Sequence, residues 1–184
     1  MGVSDADISA MHARWGSPLR ELVAPMISED AYPRFVEGLM ELLSSTPPSA
    51  CAGAAEFLQS ARSRGLPVVI VTSNESALAG RDLQTLGLAG LVDAVFGSDV
   101  TAFHKPDPRV FDEAAALLSS KWGVDIGDCI YVGDSLTDHA SAQGLCAFGA
   151  VTSGATTRTQ FLEADVPDHW VHDSLHSLSQ NLYR

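Results

Sequence analysis

At 184 residues, 46% hydrophobic and 18% charged, the chain has the make-up of an ordinary globular protein, with room for one core and a small appendage. Its formal net charge of −12 argues against nucleic acid or an anionic membrane as partner, because both need clustered Lys and Arg. No apolar run approaches the length of a membrane span, and the start is polar and acidic where a signal peptide is basic and then apolar. The three cysteines, Cys51, Cys129 and Cys146, lack metal-ligand spacing; they are expected to be buried, reduced thiols, which fits a cytoplasmic location.

Taken in order, the stretch from about Asp5 to Ser44 reads as helix. Ile8, Met11, Trp15 and Leu19 recur at helical spacing, and Phe35, Leu39, Leu42 and Leu43 do so again. Pro47 and Pro48 break the pattern, so a boundary is placed there, with residues 1–46 a helical region and residues 47–184 a second unit. That second unit alternates. A helix over Ala52–Ser63 stops near Gly65, and the β-branched run Pro67–Val71 reads as a strand buried on both faces. There follow helix Ala77–Leu86, strand Asp93–Phe96, helix Val110–Ser120, strand Cys129–Val132, helix Thr137–Gln143 and strand Ala147–Val151. Helix Thr157–Glu163, strand Trp170–His172 and helix Leu175–Leu182 close the chain. Such alternation implies an α/β fold, a Rossmann-like parallel sheet flanked by helices.

In such a sheet, ligands sit beyond the carboxyl ends of the strands. Three patches fall at that edge: Val71-Thr72-Ser73-Asn74, His104-Lys105-Pro106-Asp107-Pro108 and Gly133-Asp134-Ser135-Leu136-Thr137-Asp138. Thr72 with the amides near Ser73 and Asn74 offers hydrogen bonds to phosphoryl oxygens, and Lys105 offers a compact positive charge. Asp134 and Asp138 supply hard carboxylate oxygens of the kind Mg²⁺ takes, with Gly133 allowing close backbone approach. Taken singly, each patch also reads as a helix cap or a turn. His169, His172 and His176 straddle a strand and a helix and are expected to be solvent-facing rather than zinc ligands.

From about Pro48 to Tyr183, and down to Val151-Thr152-Ser153-Gly154, the sequence resembles the core of a phosphoglycolate-phosphatase-like member of the haloacid dehalogenase superfamily. The three patches are similar to that superfamily's second, third and fourth motifs. Residues 1–46 resemble the helical cap of this branch. The resemblance implies Mg²⁺-dependent hydrolysis of a small phosphorylated metabolite through an aspartyl-phosphate. Thr72 would then be the second-motif hydroxyl, Lys105 the third-motif lysine, and Asp134 with Asp138 the fourth-motif acids.

The superfamily's first motif, Asp-x-Asp-x-Thr after an N-terminal strand, has one formal counterpart here, Asp5-Ala6-Asp7-Ile8-Ser9, which reads instead as the capped first turn of a helix. The nucleophile strand is therefore expected to be absent and turnover impaired. In the superfamily that strand lies between the strands ending in the second and fourth motifs. Its loss would leave Val68–Val71 and Cys129–Val132 flanking a gap with unpaired backbone groups. The two strands could pair directly, a second copy or a strand-donating partner could fill the gap, or the N-terminal stretch could rearrange into it.

Overall fold

The computed structural model describes residues 18–45, 47–154 and 156–183. The Asp5-Ala6-Asp7 string and the helical positions Ile8, Met11 and Trp15 lie outside them.

The first described elements are a short helix α1 (Leu19–Val23) and helix α2 (Tyr32–Ser45). Between them Arg20 pairs with Glu29 at 2.7 Å and lies 4.4 Å over the Tyr32 ring. The ion pair is exposed, so the stacking contact holds the turn as much as the charges do.

From Ala54 onward helices and strands alternate as the sequence predicts. In order come α3 (Ala54–Ser63), β1 (Val69–Val71), α4 (Ser76–Thr85), β2 (Ala94–Phe96), α5 (Asp112–Trp122) and β3 (Ile130–Gly133). They are followed by α6 (Leu136–Ala142), β4 (Ala147–Val151), α7 (Arg158–Glu163), β5 (Val171–His172) and α8 (Leu175–Leu182). Gly65, at φ +70, ends α3 in the left-handed region, and the Leu66 N–H reaches back to the Ala61 carbonyl. Arg62 of α3 grips Asp93, which also accepts the Val68 N–H at 2.9 Å. One carboxylate thus ties the starts of β1 and β2 to the helix before them.

The strands differ from the single expected sheet. β1 pairs in parallel with β2, Val71 opposite Phe96, while β3, β4 and β5 make a separate parallel sheet in that order. Among the described residues β1 and β3 do not pair with each other, so direct closure of the gap by strand pairing is not what the chain does. The two sheets are joined by side chains instead. Val71, Val110, Phe111 and Ala114 form a buried cluster on which Val69 and Phe96 from one sheet and Tyr131 from the other pack. Phe111 meets Tyr131 edge-on at 4.8 Å, and Tyr131, Phe148 and Phe161 follow at 6.2 Å steps into a second cluster with Ala150, Val166 and Val171. Edge-on aromatic pairs contribute about 0.5–1.5 kcal/mol each beyond their burial.

The cysteines are less buried than expected. Cys51 is exposed, while Cys129 and Cys146 are half-buried, and all three are free thiols.

Candidate phosphate site at the strand ends

The turn from β3 into α6 is built around Asp138. Ser135 caps the helix by accepting the Asp138 N–H, and Asp138 Oδ2 accepts in return from the Ser135 N–H, the Ser135 hydroxyl and the Asp134 N–H. This reciprocal cap satisfies backbone donors that the first helical turn leaves open. Gly133 is required by it: a Cβ there would fall 2.5–2.7 Å from the Asp138 side chain.

The other oxygen of Asp138 carries the charge contact. Oδ1 accepts from Lys105 Nζ at 2.7 Å and from the Tyr131 hydroxyl at 2.8 Å. Both Lys105 and Tyr131 also reach the Val71 carbonyl, at 3.1 and 3.3 Å. Thus the last residue of β1, the lysine of the loop after β2, a side chain of β3 and the first turn of α6 meet at one point. Burial pushes the Asp138 carboxyl up, but the Lys105 charge and the hydrogen bonds from Lys105, Ser135 and Tyr131 outweigh it and hold the group below its ordinary value. Tyr131 moves far the other way, raised by burial and then by the neighbouring carboxylate, so it stays a phenol that donates.

The loop that delivers Lys105 is pinned on its far side. Asp107 caps the turn Pro108–Phe111 through the Arg109 N–H, and the Arg109 side chain clamps the same carboxylate at 2.6 Å. That hydrogen bonding takes the Asp107 carboxyl down to about 2. The guanidinium also lies 3.7 Å over the Phe103 ring.

After β1 the chain turns tightly: Thr72 donates its N–H to Phe96, and its hydroxyl oxygen accepts the Asn74 N–H at 3.1 Å. The patch is not the cap of α4, as a simple reading of its residues predicts. The N-terminal amide of α4, Ser76 N–H, is taken by Asp99 at 2.7 Å, and the Ser76 hydroxyl bonds the same oxygen. Sequence reasoning passed over Asp99; its signal is an acid a few residues past a strand end, where a neighbouring helix needs an acceptor. It also passed over Tyr131, whose signal is a hydroxyl inside a buried strand, where a partner is obligatory.

Asp134 has a different environment from Asp138. It is half-buried, its carboxyl is raised by burial and then by the Asp138 charge, and its side chain lies directly against Gly154, where any Cβ would overlap it. Asp138, with five donors on two oxygens, has little left to offer a metal. Of the two acids, Asp134 has the carboxylate less engaged by hydrogen bonds, the one a cation could approach. Among the described residues no group of three His, Cys, Asp or Glu is gathered for a metal, so the fit for Mg²⁺ rests on one protein carboxylate. That is within this ion's habit, which keeps several waters and uses one or two carboxylates together with substrate phosphate.

His169 and His176 are exposed, and His172 is half-buried. His172 contacts the His169 carbonyl and Asn181, and His176 pairs with Gln180 along α8. His139, against the Phe148 ring at 5.2 Å, is lowered by burial. None points a ring into the Lys105 cluster through a hydrogen bond recorded among the described residues.

The chain is 29% identical over 155 residues to a phosphoglycolate phosphatase of Neisseria meningitidis, covering 83% of this chain and 62% of that protein. It is 30% identical over 126 residues to the corresponding protein of Neisseria gonorrhoeae, covering 68% of this chain and 49% of that one. The chain therefore spans roughly half to three fifths of the length of these relatives. A hydrolase from Pseudomonas syringae superposes with a TM-score of 0.69 at 23% identity, over 89% of this chain and 76% of that one, a likeness of fold. The family model of haloacid dehalogenase-like hydrolases matches residues 14–145, which takes in β1, the Lys105 loop and the β3–α6 turn, and the chain belongs to that family.

Proposed function

We propose that this chain carries the phosphate-handling half of a phosphomonoester phosphatase site, acting on a small phosphorylated metabolite, with residues 1–46 as the helical cap that governs access. The observation that carries the reading is the buried Lys105 ammonium held between the Val71 carbonyl and Asp138, at the point where Thr72 leaves β1. An ammonium has three donors, and this arrangement fixes two of them, aiming a positive charge beside the Thr72-Ser73-Asn74 turn. Thr72, Ser73, Asn74 and Lys105 bind the phosphoryl oxygens. Lys105 and Thr72 are the groups that would stabilise charge developing there. Asp134 would hold Mg²⁺, which when bound neutralises phosphate charge; Asp138 positions Lys105 and the turn that carries Asp134. Turnover is impaired in this reading, because the one string of the nucleophile-motif form, Asp5-Ala6-Asp7-Ile8-Ser9, reads as the capped first turn of a helix. Asp5 and Asp7 are outside the described residues and take no role here. A cytoplasmic setting goes with the reading; among the described residues no helix is long and apolar enough to cross a membrane.

The test is calorimetric titration of inorganic phosphate with Mg²⁺ present, alongside phosphate release from an aryl phosphate, for the chain and its Asp134→Asn and Lys105→Met variants. Millimolar or tighter binding that both variants lose supports the reading. A folded protein that binds neither ion overturns it, and release that survives in Asp134→Asn belongs to a contaminant.

A second reading is favoured by one observation: among the described residues β1 and β3 are each paired on one side only. In this reading the gap between them takes an extended strand from a second copy or a strand-donating protein, and the chain is a binding protein. Sedimentation giving a monodisperse monomer with fast amide exchange along both β1 and β3 would leave the binding reading without an occupant.

A further inference from the structure

Cys129 and Cys146 take no part in the phosphate site. Cys129 directly precedes β3 and Cys146 directly precedes β4, and the two strands run parallel from Ile130 opposite Ala147. One step back along that register Cys129 lies opposite Cys146. The Ala147 N–H donates to the Cys129 carbonyl at 3.2 Å, so one ladder bond reaches the pair, just before the strands begin. Opposed residues of a parallel pair send their side chains to the same face, and neighbouring strands lie about 4.7–4.9 Å apart, inside the roughly 4.4–6.8 Å between Cα atoms that a disulfide spans. The Cys146 thiol is pushed up by burial, with the Cys129 side chain adding to the shift. The Cys129 thiol is turned to the Asp125 carbonyl at 3.5 Å. Both residues are half-buried, so a small reagent has access.

We propose that Cys129 and Cys146 are a dithiol modification site that closes to an intramolecular disulfide by exchange with a small-molecule disulfide such as oxidised glutathione. One cysteine thiolate attacks a sulfur of the reagent, forming a mixed disulfide and releasing one small thiol. The second cysteine thiolate attacks the protein sulfur of that mixed disulfide, the Cys129–Cys146 bond forms, and the second small thiol leaves. The two cysteine protons end on the two released thiols, and the two electrons lost by the cysteines reduce the reagent. Burial pushes both thiols up, so they rest protonated at neutral pH. The site responds slowly to the thiol–disulfide balance and is no fast peroxide sensor. What the bond encloses gives it consequence: residues 129–146 contain β3, Asp134, Asp138 and α6, and closing it staples the segment that carries both acids.

The experiment uses the whole chain with Cys51→Ser, which removes the exposed thiol. Folded protein is equilibrated in glutathione buffers of increasing oxidised fraction, quenched in acid, denatured, alkylated and mapped by mass spectrometry. The expected result is loss of both thiols together, a linked peptide pair joining Cys129 to Cys146 and lighter by two hydrogens, and a monomer on a non-reducing gel. The thermal midpoint should rise by roughly 5 °C, reversed by dithiothreitol. Two alkylated thiols in fully oxidised buffer, a glutathione adduct on one cysteine that never closes, or disulfides formed only between chains would each overturn the proposal. Phosphate binding is not read in this experiment, so its result is independent of the proposed phosphatase function.

Discussion

Lys105 Nζ lies 2.7 Å from Asp138 Oδ1 with only 8% and 7% of the two side chains exposed. A pair this buried is costly to form but more costly to break, because removing one partner strands the other charge away from water. Asp138→Ala also takes the reciprocal cap from α6 and leaves the Tyr131 hydroxyl without its carboxylate. We expect it to lower unfolding free energy by about 3–5 kcal/mol in urea, where a solvent-facing ion pair would contribute less than about 1 kcal/mol. A loss in the smaller range would mean that Lys105 is solvated, and the buried-charge account of the site would fail with it.

The two neighbouring acids predict opposite pH behaviour. Asp138 is held below the ordinary value of 3.8 in the folded protein. Its contribution is therefore complete above about pH 4 and is lost as pH falls through its folded value. Asp134 is raised above 3.8 by burial and by Asp138, so the folded state takes that proton first and gains stability as pH drops from neutral toward 4. Asp134→Asn removes this gain. The variant should be more stable than the parent at pH 7, by roughly 0.5–2 kcal/mol, the range typical of relieving a position kept for function. Thermal melts of both proteins between pH 3 and 7 check it; equal midpoints at pH 7 would show that Asp134 is comfortably solvated.

Much of this was legible in the sequence, and the limits have physical causes. Helix and strand order follow from apolar periodicity with Gly and Pro punctuation, and β1, β2, β3 and β4 fall within about two residues of their expected bounds. Ser135 with Asp138 three residues on is a local pattern, so the cap could be read directly. What no local pattern carries is the meeting of Tyr131 with Val71 and Asp138, since that depends on how two strands that do not pair with each other settle across a shared core. The same is true of Asp99 on Ser76, which joins the start of α4 to a loop 23 residues on. The split into two sheets was foreseen as a gap but not as one bridged by a phenol and an ammonium.

Tyr131→Phe isolates that bridge. The ring stays against Phe111, so packing is kept, while the hydroxyl contacts to Asp138 and Val71 are lost. A hydrogen bond to a charged group contributes about 1.5–3 kcal/mol, and a destabilisation in that range is expected. Titration should also show the Asp138 carboxyl moving up toward its ordinary value, because one of the donors that lowers it is gone. A carboxyl that does not move would assign the Tyr131 hydroxyl to Val71 alone.

Gly154 separates function from stability. It is exposed in the turn after β4, yet a Cβ there would overlap the Asp134 carboxyl. Gly133→Ala has the contrasting problem, since its Cβ would strike Asp138 inside the cap. It should destabilise by about 1–3 kcal/mol, as forced overpacking does. Gly154→Ala instead pushes a half-buried side chain that the fold does not need in place. Its stability should stay within about 0.5 kcal/mol of the parent, the usual range for surface changes. Phosphate affinity in the presence of Mg²⁺ should fall by about 10-fold or more, as when a group that orients a metal ligand is disturbed. Urea unfolding and calorimetric titration on the same preparation read the two effects separately. Affinity preserved in a stable Gly154→Ala would remove Asp134 from the site.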